Sequence, residues 1–191
     1  MLTENDINLA IVWGISLLAF VIALYFDLRF QRIPNQFCLI VVVIGFSLQL
    51  YLHQIDGLLN AFLGLSLAFI ILFPAFLIKA IGAGDVKLMM AIGTITGYQL
   101  IIWSIVYAVI VGALSSVLLA FYKTGWQGLK STLIRYYQCF YLKQYFKPSE
   151  GEAASFRVPY APALALGWLW ACSQNDEILW TISNLRYAMS S

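Results

Sequence analysis

Charged residues are scarce in this sequence. Asp, Glu, Lys and Arg make up 10% of the 191 residues, whereas hydrophobic residues make up 62%. A soluble domain carries about a quarter charged residues, because water must solvate its surface. The scarcity excludes an ordinary soluble domain and predicts a membrane protein. The six Trp and eleven Tyr residues agree, because these side chains favour the bilayer interface.

Cysteine pairs and dense basic tracts are also missing. Cys38, Cys139 and Cys172 lie far apart and form no C-x-x-C pair, so neither a zinc knuckle nor a redox motif is visible. We interpret them as small hydrophobic residues. The net charge is only +2, and no cluster of basic residues would follow a phosphate backbone. We therefore expect no metal, no cofactor and no nucleic acid partner.

The N-terminus lacks the basic residues of a secretory signal. It carries Glu4 and Asp6 instead, so we expect the first apolar run to remain as a transmembrane helix.

Apolar runs predict the membrane spans, each of which needs about 20 residues. One run, Leu88 to Tyr122, has 35 residues without Asp, Glu, Lys or Arg. As one helix it would be about 52 Å long, so we expect two helices that turn near Gly93 to Tyr98. The sequence predicts an all-α polytopic membrane protein with a single domain, 1–191, and six transmembrane helices at about 7–26, 35–53, 58–78, 85–97, 99–121 and 158–175.

The basic residues predict the orientation, because short cytoplasmic loops carry most Lys and Arg. With six helices and both termini outside, in the periplasm, only Arg186 lies on the outer side. The other ten basic residues fall in cytoplasmic segments: Arg29, Arg32, Lys79, Lys87, Lys123, Lys130, Arg135, Lys143, Lys147 and Arg157.

One long polar connection, the cytoplasmic loop 123–157, mixes basic and aromatic residues. This composition suits a segment that lies on the anionic cytoplasmic leaflet. A loop whose aromatic side chains pack against the helix bundle is the alternative.

Two carboxylates, Asp27 and Asp85, fall at the cytoplasmic ends of predicted spans, where an ionisable group is costly and indicates a functional site. If they share one water, the pair retains one proton and titrates as a unit. The ionised member can then take a proton from the water that attacks a peptide carbonyl. The protonated member donates to the carbonyl oxygen and later to the leaving nitrogen. The alternatives are a helix N-cap for Asp85 and an ordinary juxtamembrane residue for Asp27.

The segments around both aspartates resemble the two signature segments of the type IV prepilin leader peptidase family. The first is Asp27-Leu28-Arg29-Phe30-Gln31-Arg32-Ile33-Pro34-Asn35, and the second is Gly82-Ala83-Gly84-Asp85-Val86-Lys87-Leu88. The family patterns are an Asp followed by a basic residue and Ile-Pro-Asn, and Gly-x-Gly-Asp followed by Lys-Leu. The stretch from Val158 to Gly167 also resembles the last-helix segment of the family.

The resemblance implies an aspartic endopeptidase of the bacterial inner membrane, with Asp27 and Asp85 as the catalytic pair facing the cytoplasm. Its substrate would be a prepilin or pseudopilin precursor, whose short basic leader it removes. Pilus or secretion assembly machinery and the lipid bilayer are the other implied partners. The motif residues Gly82, Gly84, Lys87, Arg29, Pro34 and Asn35 would support the site.

Each supporting residue also has a local interpretation. Gly82 and Gly84 permit positive φ and a close approach of other backbone. Lys87 either biases which carboxylate is ionised or extends to lipid phosphates, and we favour the second. Arg29 is also a topology signal, and Pro34 with Asn35 would end the loop and cap the second helix.

The chain lacks the extra cytoplasmic domain with two C-x-x-C pairs of the larger bifunctional members, so zinc is not expected. It shows no glycine-rich nucleotide-binding loop, which argues against the methyltransferase activity of those members. The short form is more similar to the peptidases of tight-adherence, or Flp, pilus systems.

Other functions remain open from the sequence. A preflagellin-type peptidase shares the Gly-x-Gly-Asp motif and differs in the precursor that it cuts. An ion transporter or channel would use the aspartates for cations or protons. A non-catalytic pilus assembly factor would use them as helix caps.

Overall fold

The structure, a computed structural model, describes residues 4–78, 80–142, 160–176, 178–181 and 183. These residues form helices and no strand, which confirms the all-α prediction. The helices are α1 (Glu4–Phe30), α2 (Asn35–Leu77), α3 (Ala83–Leu142) and α4 (Ala161–Ser173).

The chain divides into two compact units. The first unit comprises Met1–Val111 and Tyr160–Ser191 and contains both aspartates of interest. The second unit is Gly112–Pro159. Within it, residues 123–142 are helical, although the sequence indicates a polar loop over 123–157; residues 143–157 lie outside the described part.

The end of α1 depends on two residues after it. Gln31 has a positive φ of 50°, and its N–H donates to the carbonyl oxygen of Asp27 at 2.9 Å. A residue in this left-handed conformation commonly terminates a helix. Pro34 then precedes α2 with an extended backbone, φ −62° and ψ 134°. Because α1 continues to Phe30, Asp27 lies inside its last turn rather than after it.

A kink divides α2 into two helices. Gln54 has a non-helical backbone, φ 53° and ψ −133°. On either side of it, Gly45 lies against Thr94 and Gly64 lies against the backbone of Gly93. Since two positions on opposite sides of Gln54 reach adjacent residues of α3, α2 folds back on itself as a helical hairpin.

A positive φ also interrupts α3. Gly97 has φ 78°, and the next residue, Tyr98, donates its N–H to Asn60 Oδ1 at 3.1 Å. Gly97 lies in the stretch where the sequence predicts a turn. The core on both sides of Gly97 is formed by fully buried side chains of α3, among them Leu88, Met89, Ile92, Ile95, Ile101 and Ile105.

Much apolar surface faces outward. Three helical segments, Asp6–Phe30, Asn35–Leu77 and Ala83–Leu119, are long and apolar enough to cross a membrane, and α4 is a shorter apolar helix. Only 22% to 28% of the most apolar stretch of each long segment is buried inside the protein. Apolar helices that expose most of their side chains need lipid around them. The protein is therefore a membrane protein.

Candidate active site

Asp27 lies in the last turn of α1 and points into the protein. Its Oδ2 atom is buried and has no hydrogen-bond partner among the described residues. The backbone N–H of Ala161, the first residue of α4, lies near the same carboxylate. Asp27 therefore lies near the N-terminus of α4, where the first N–H groups of a helix have no partner within the helix.

Asp85 lies in the first turn of α3 and is 9% exposed. Its Oδ2 accepts a hydrogen bond from the N–H of Gly82 at 3.3 Å. This contact, from the third helical residue back to the residue before the helix, is the second half of a capping box. Asp85 thus caps its helix. Because the contact is long and uses one oxygen, capping leaves the carboxylate available for other chemistry.

The two carboxylates come together although they are far apart in the sequence. Asp27 lies close enough to Asp85 for the charge of one to act on the other. Two neighbouring carboxylates resist double ionisation, so the pair holds a proton more readily than either group alone. Two carboxylates that share one proton can activate a water, as an aspartyl dyad does.

The two signature segments contact each other directly beside the dyad. A Cβ atom on Gly84 would lie 3.4 Å from Cβ of Ile33, which is itself buried. Lys87 Nζ donates to Asn35 Oδ1 at 2.8 Å. The motif residues therefore join the end of α1 and the start of α2 to the start of α3.

The glycines act through their small size. Neither Gly82 nor Gly84 has a positive φ, so the conformational freedom that the sequence suggests is not used. A Cβ atom on Gly82 would lie 3.0 Å from Asp85 Oδ2. The missing side chains let the carboxylate and Ile33 approach the backbone.

The remaining motif residues make other contacts than the sequence suggests. The N-cap of α2 is Pro34, without a side-chain cap hydrogen bond, and the Asn35 side chain binds Lys87 instead. Arg29 does not reach the dyad. Its guanidinium donates to the Tyr25 hydroxyl at 2.7 Å and lies 5.7 Å from the ring centroid of Phe30.

Sequence reasoning misses the role of Ala161. The residue is 1% exposed and contributes a backbone N–H, which residue type does not encode. The sequence does indicate that a helix begins here, because Pro162, directly after Ala161, is typical of the first turn of a helix. The sequence alone does not show that α4 begins beside Asp27.

No metal site accompanies the dyad in the described part of the chain, where no three His, Cys, Asp or Glu side chains form a cluster. Cys38 and Cys172 are buried and free. Two neighbouring carboxylates can transfer protons to and from a water and a peptide.

The family model described as the type IV leader peptidase family matches residues 11–117, which is more than half of the chain and includes both signature segments. Among curated proteins and among solved structures, none matches the chain.

Proposed function

The chain belongs to the type IV leader peptidase family, and from this premise we propose that it is an aspartic endopeptidase that uses Asp27, Asp85 and an activated water. The observation that supports the proposal most strongly is the contact between the two segments that carry the aspartates, where Lys87 Nζ donates to Asn35 Oδ1 at 2.8 Å and Gly84 lies against Ile33. A peptidase of this family acts on a precursor protein.

We propose that the precursor is a prepilin or pseudopilin with a short basic leader and an apolar helix. The apolar helix would lie in the bilayer beside the outward-facing apolar surface of the peptidase. The basic leader would remain on the side that carries ten of the eleven Lys and Arg residues, by the same charge rule that orients the peptidase. Cleavage between leader and helix would then occur at the cytoplasmic face of the inner membrane.

The proposed topology has six crossings with both termini outside. The kink at Gln54 and the positive φ of Gly97 support it, because each lies inside a helix that is too long for one crossing. The 43 residues of α2 would extend about 64 Å as one straight helix, against a hydrocarbon core of about 30 Å. With a reversal at Gln54, Asp27 before α2 and Asp85 after it would lie on one face of the membrane.

A cleavage assay tests the proposal. A candidate prepilin is co-expressed with the wild type, Asp27→Asn or Asp85→Asn, and the precursor and product are separated on a gel. We expect the wild type to shorten the precursor and each variant to lose at least about 100-fold in rate, since one proton-transfer group is removed.

The controls separate chemistry from folding. Asn has the shape of Asp, and the membrane level of each variant is measured alongside cleavage. An Asp56→Asn variant serves as a matched control, because it makes the same change at an exposed carboxylate outside both motifs and should cleave like the wild type. Near-normal cleavage by either Asp variant would show that its carboxylate is only a helix cap or juxtamembrane group and would refute the dyad.

A further inference from the structure

A cavity opens at the end of the helices that lies opposite to the two aspartates. Its volume is about 650 Å³, within the range of roughly 300–1,000 Å³ that small-molecule sites have. Its walls come from the first half of α1, the second half of α2, the part of α3 around and after Gly97, and the end of α4 with the residues that follow it. Leu9, on the α1 wall, lies about 27 Å from Asp27 along the helix, at about 1.5 Å per residue. The cavity is therefore separate from the dyad.

The polar groups of the cavity suit a ligand with a positive charge. Asp176 is exposed at its edge, and no Lys or Arg lines it among the described residues. A phosphate alone would meet this carboxylate with no cation to neutralise it. Hydrogen-bonding groups are nevertheless at hand, because four amide side chains line the cavity: Asn60, Gln99, Gln174 and Asn175.

Aromatic rings form the wall of the cavity on α3. Trp103 and Tyr107 line it, with ring centroids 6.1 Å apart. Tyr107 also stacks on Trp170 of α4, with centroids 5.1 Å apart and an angle of 8° between the rings, so its position is fixed from both helices. Trp103 is 54% exposed and is accessible to a ligand. Because an ammonium group is attracted to the face of an aromatic ring, and most strongly to Trp, these rings and Asp176 favour the same kind of ligand.

The cavity continues into an apolar surface along α3. Val106, Val109 and Ile110 follow Trp103 on the same side of the helix and are exposed. The apolar segment of α3 continues to Leu119, so these three side chains lie deeper in the bilayer than the cavity does. A molecule that matches both parts has a polar head for the cavity and an apolar chain beside α3. Phospholipids have this form.

We propose that the cavity binds the ammonium headgroup of a phospholipid, such as phosphatidylethanolamine, from the leaflet opposite to the dyad. Asp176 and the rings of Trp103 and Tyr107 receive the ammonium group. The amides of Asn60 and Gln99 donate to the phosphate oxygens, and the acyl chains lie along α3. This site lies outside the dyad and does not require the protein to be a peptidase.

Native mass spectrometry of the full chain in detergent tests the proposal. The protein is titrated with dioleoyl phosphatidylethanolamine or with dioleoyl phosphatidylglycerol, which has the same acyl chains and a phosphate but no ammonium group. The ratio of lipid-bound to free protein gives the affinity for each lipid. We expect the wild type to bind phosphatidylethanolamine about tenfold more tightly, because Asp176 attracts an ammonium group and repels an anionic headgroup.

Two variants locate the binding. Asp176→Asn keeps the shape of an exposed side chain and removes its charge, so it should fold normally. We expect it to reduce the preference for phosphatidylethanolamine about fivefold, as the loss of one exposed ion pair does. Trp103→Leu should weaken binding of this lipid about threefold by removing a cation–π contact. The matched control is Asp56→Asn, the same change at an exposed carboxylate that does not line the cavity, which should keep the preference of the wild type.

Several outcomes would overturn the proposal. Equal affinity of the wild type for the two lipids would show that the ammonium group is not recognised. An unchanged preference in Asp176→Asn would place the lipid elsewhere, and an equal loss in Asp56→Asn would assign the preference to overall charge. Phosphoethanolamine without acyl chains is the last comparison: if it bound as tightly as the lipid, the ligand would be a free amine. No cleavage is measured, so this inference and the proposed peptidase function are tested separately.

Discussion

A Cβ atom on Gly84 would lie 3.4 Å from Cβ of Ile33, although the two residues belong to different signature segments. This separation is close to the 3.5–4.5 Å, about 3.8 Å on average, that disulfides span between Cβ atoms. We expect the double variant Ile33→Cys and Gly84→Cys to form a disulfide under mild oxidation. The native cysteines are replaced by alanine, and free thiols are counted by polyethylene glycol maleimide labelling after denaturation.

The control pair for this cross-link is Ile33→Cys with Gly14→Cys. A Cβ atom on Gly14 would meet nothing within 4 Å, so both thiols of the control should remain free after oxidation. Equal labelling of the two pairs would show that Ile33 and Gly84 are not in contact. The proposal that Asp27 and Asp85 lie close together would then be refuted as well.

The local sequence predicts the parts of this site that depend on residue type. It indicates both aspartates as candidates, and it predicts the start of the second helix at residue 35, where α2 begins, because Pro34 restricts the backbone before it. It does not predict the kink at Gln54, since a glutamine with positive φ has no sequence signature.

The sequence alone does not predict which distant segments of the chain contact each other. The Ala161 N–H near Asp27 is a backbone group, and every residue except proline has one. The Lys87–Asn35 bond joins two residues whose types suggest lipid contact and helix capping when each is taken alone. Such pairings depend on how the helices pack, which residue order alone leaves open.

The Lys87–Asn35 bond is expected to couple the two signature segments energetically. A double-mutant cycle with Lys87→Met and Asn35→Ala should give a coupling energy of about 0.5–1.5 kcal/mol, because an exposed hydrogen bond exchanges with water. The measurement is the free energy of unfolding in detergent. Lys87→Met combined with Ser173→Ala, at the far end of α4, should be additive. If the changes in the free energy of unfolding were additive in both cycles, the Lys87–Asn35 hydrogen bond would contribute nothing to stability.

The contact between Gly64 and Gly93 predicts a strong intolerance of side chains. A Cβ atom on Gly64 would overlap the carbonyl oxygen of Gly93, which is backbone and cannot rotate away. Gly64→Ala should therefore force α2 and α3 apart and cost about 1–3 kcal/mol or more, as overpacking does. The expected result is a lower melting temperature in detergent and a lower level in the membrane.

Gly14→Ala is the matched control for that substitution, since it adds the same methyl group to an apolar helix at a position with open space around it. In a helix interior, alanine is favoured over glycine by about 1 kcal/mol, so Gly14→Ala should melt at or above the temperature of the wild type. The difference between the two variants isolates the helix contact from helix propensity, which acts in the same direction at both sites. If Gly64→Ala were as stable as Gly14→Ala, the second half of α2 would not pack on α3 at Gly93. The helical hairpin around Gln54 would then be wrong.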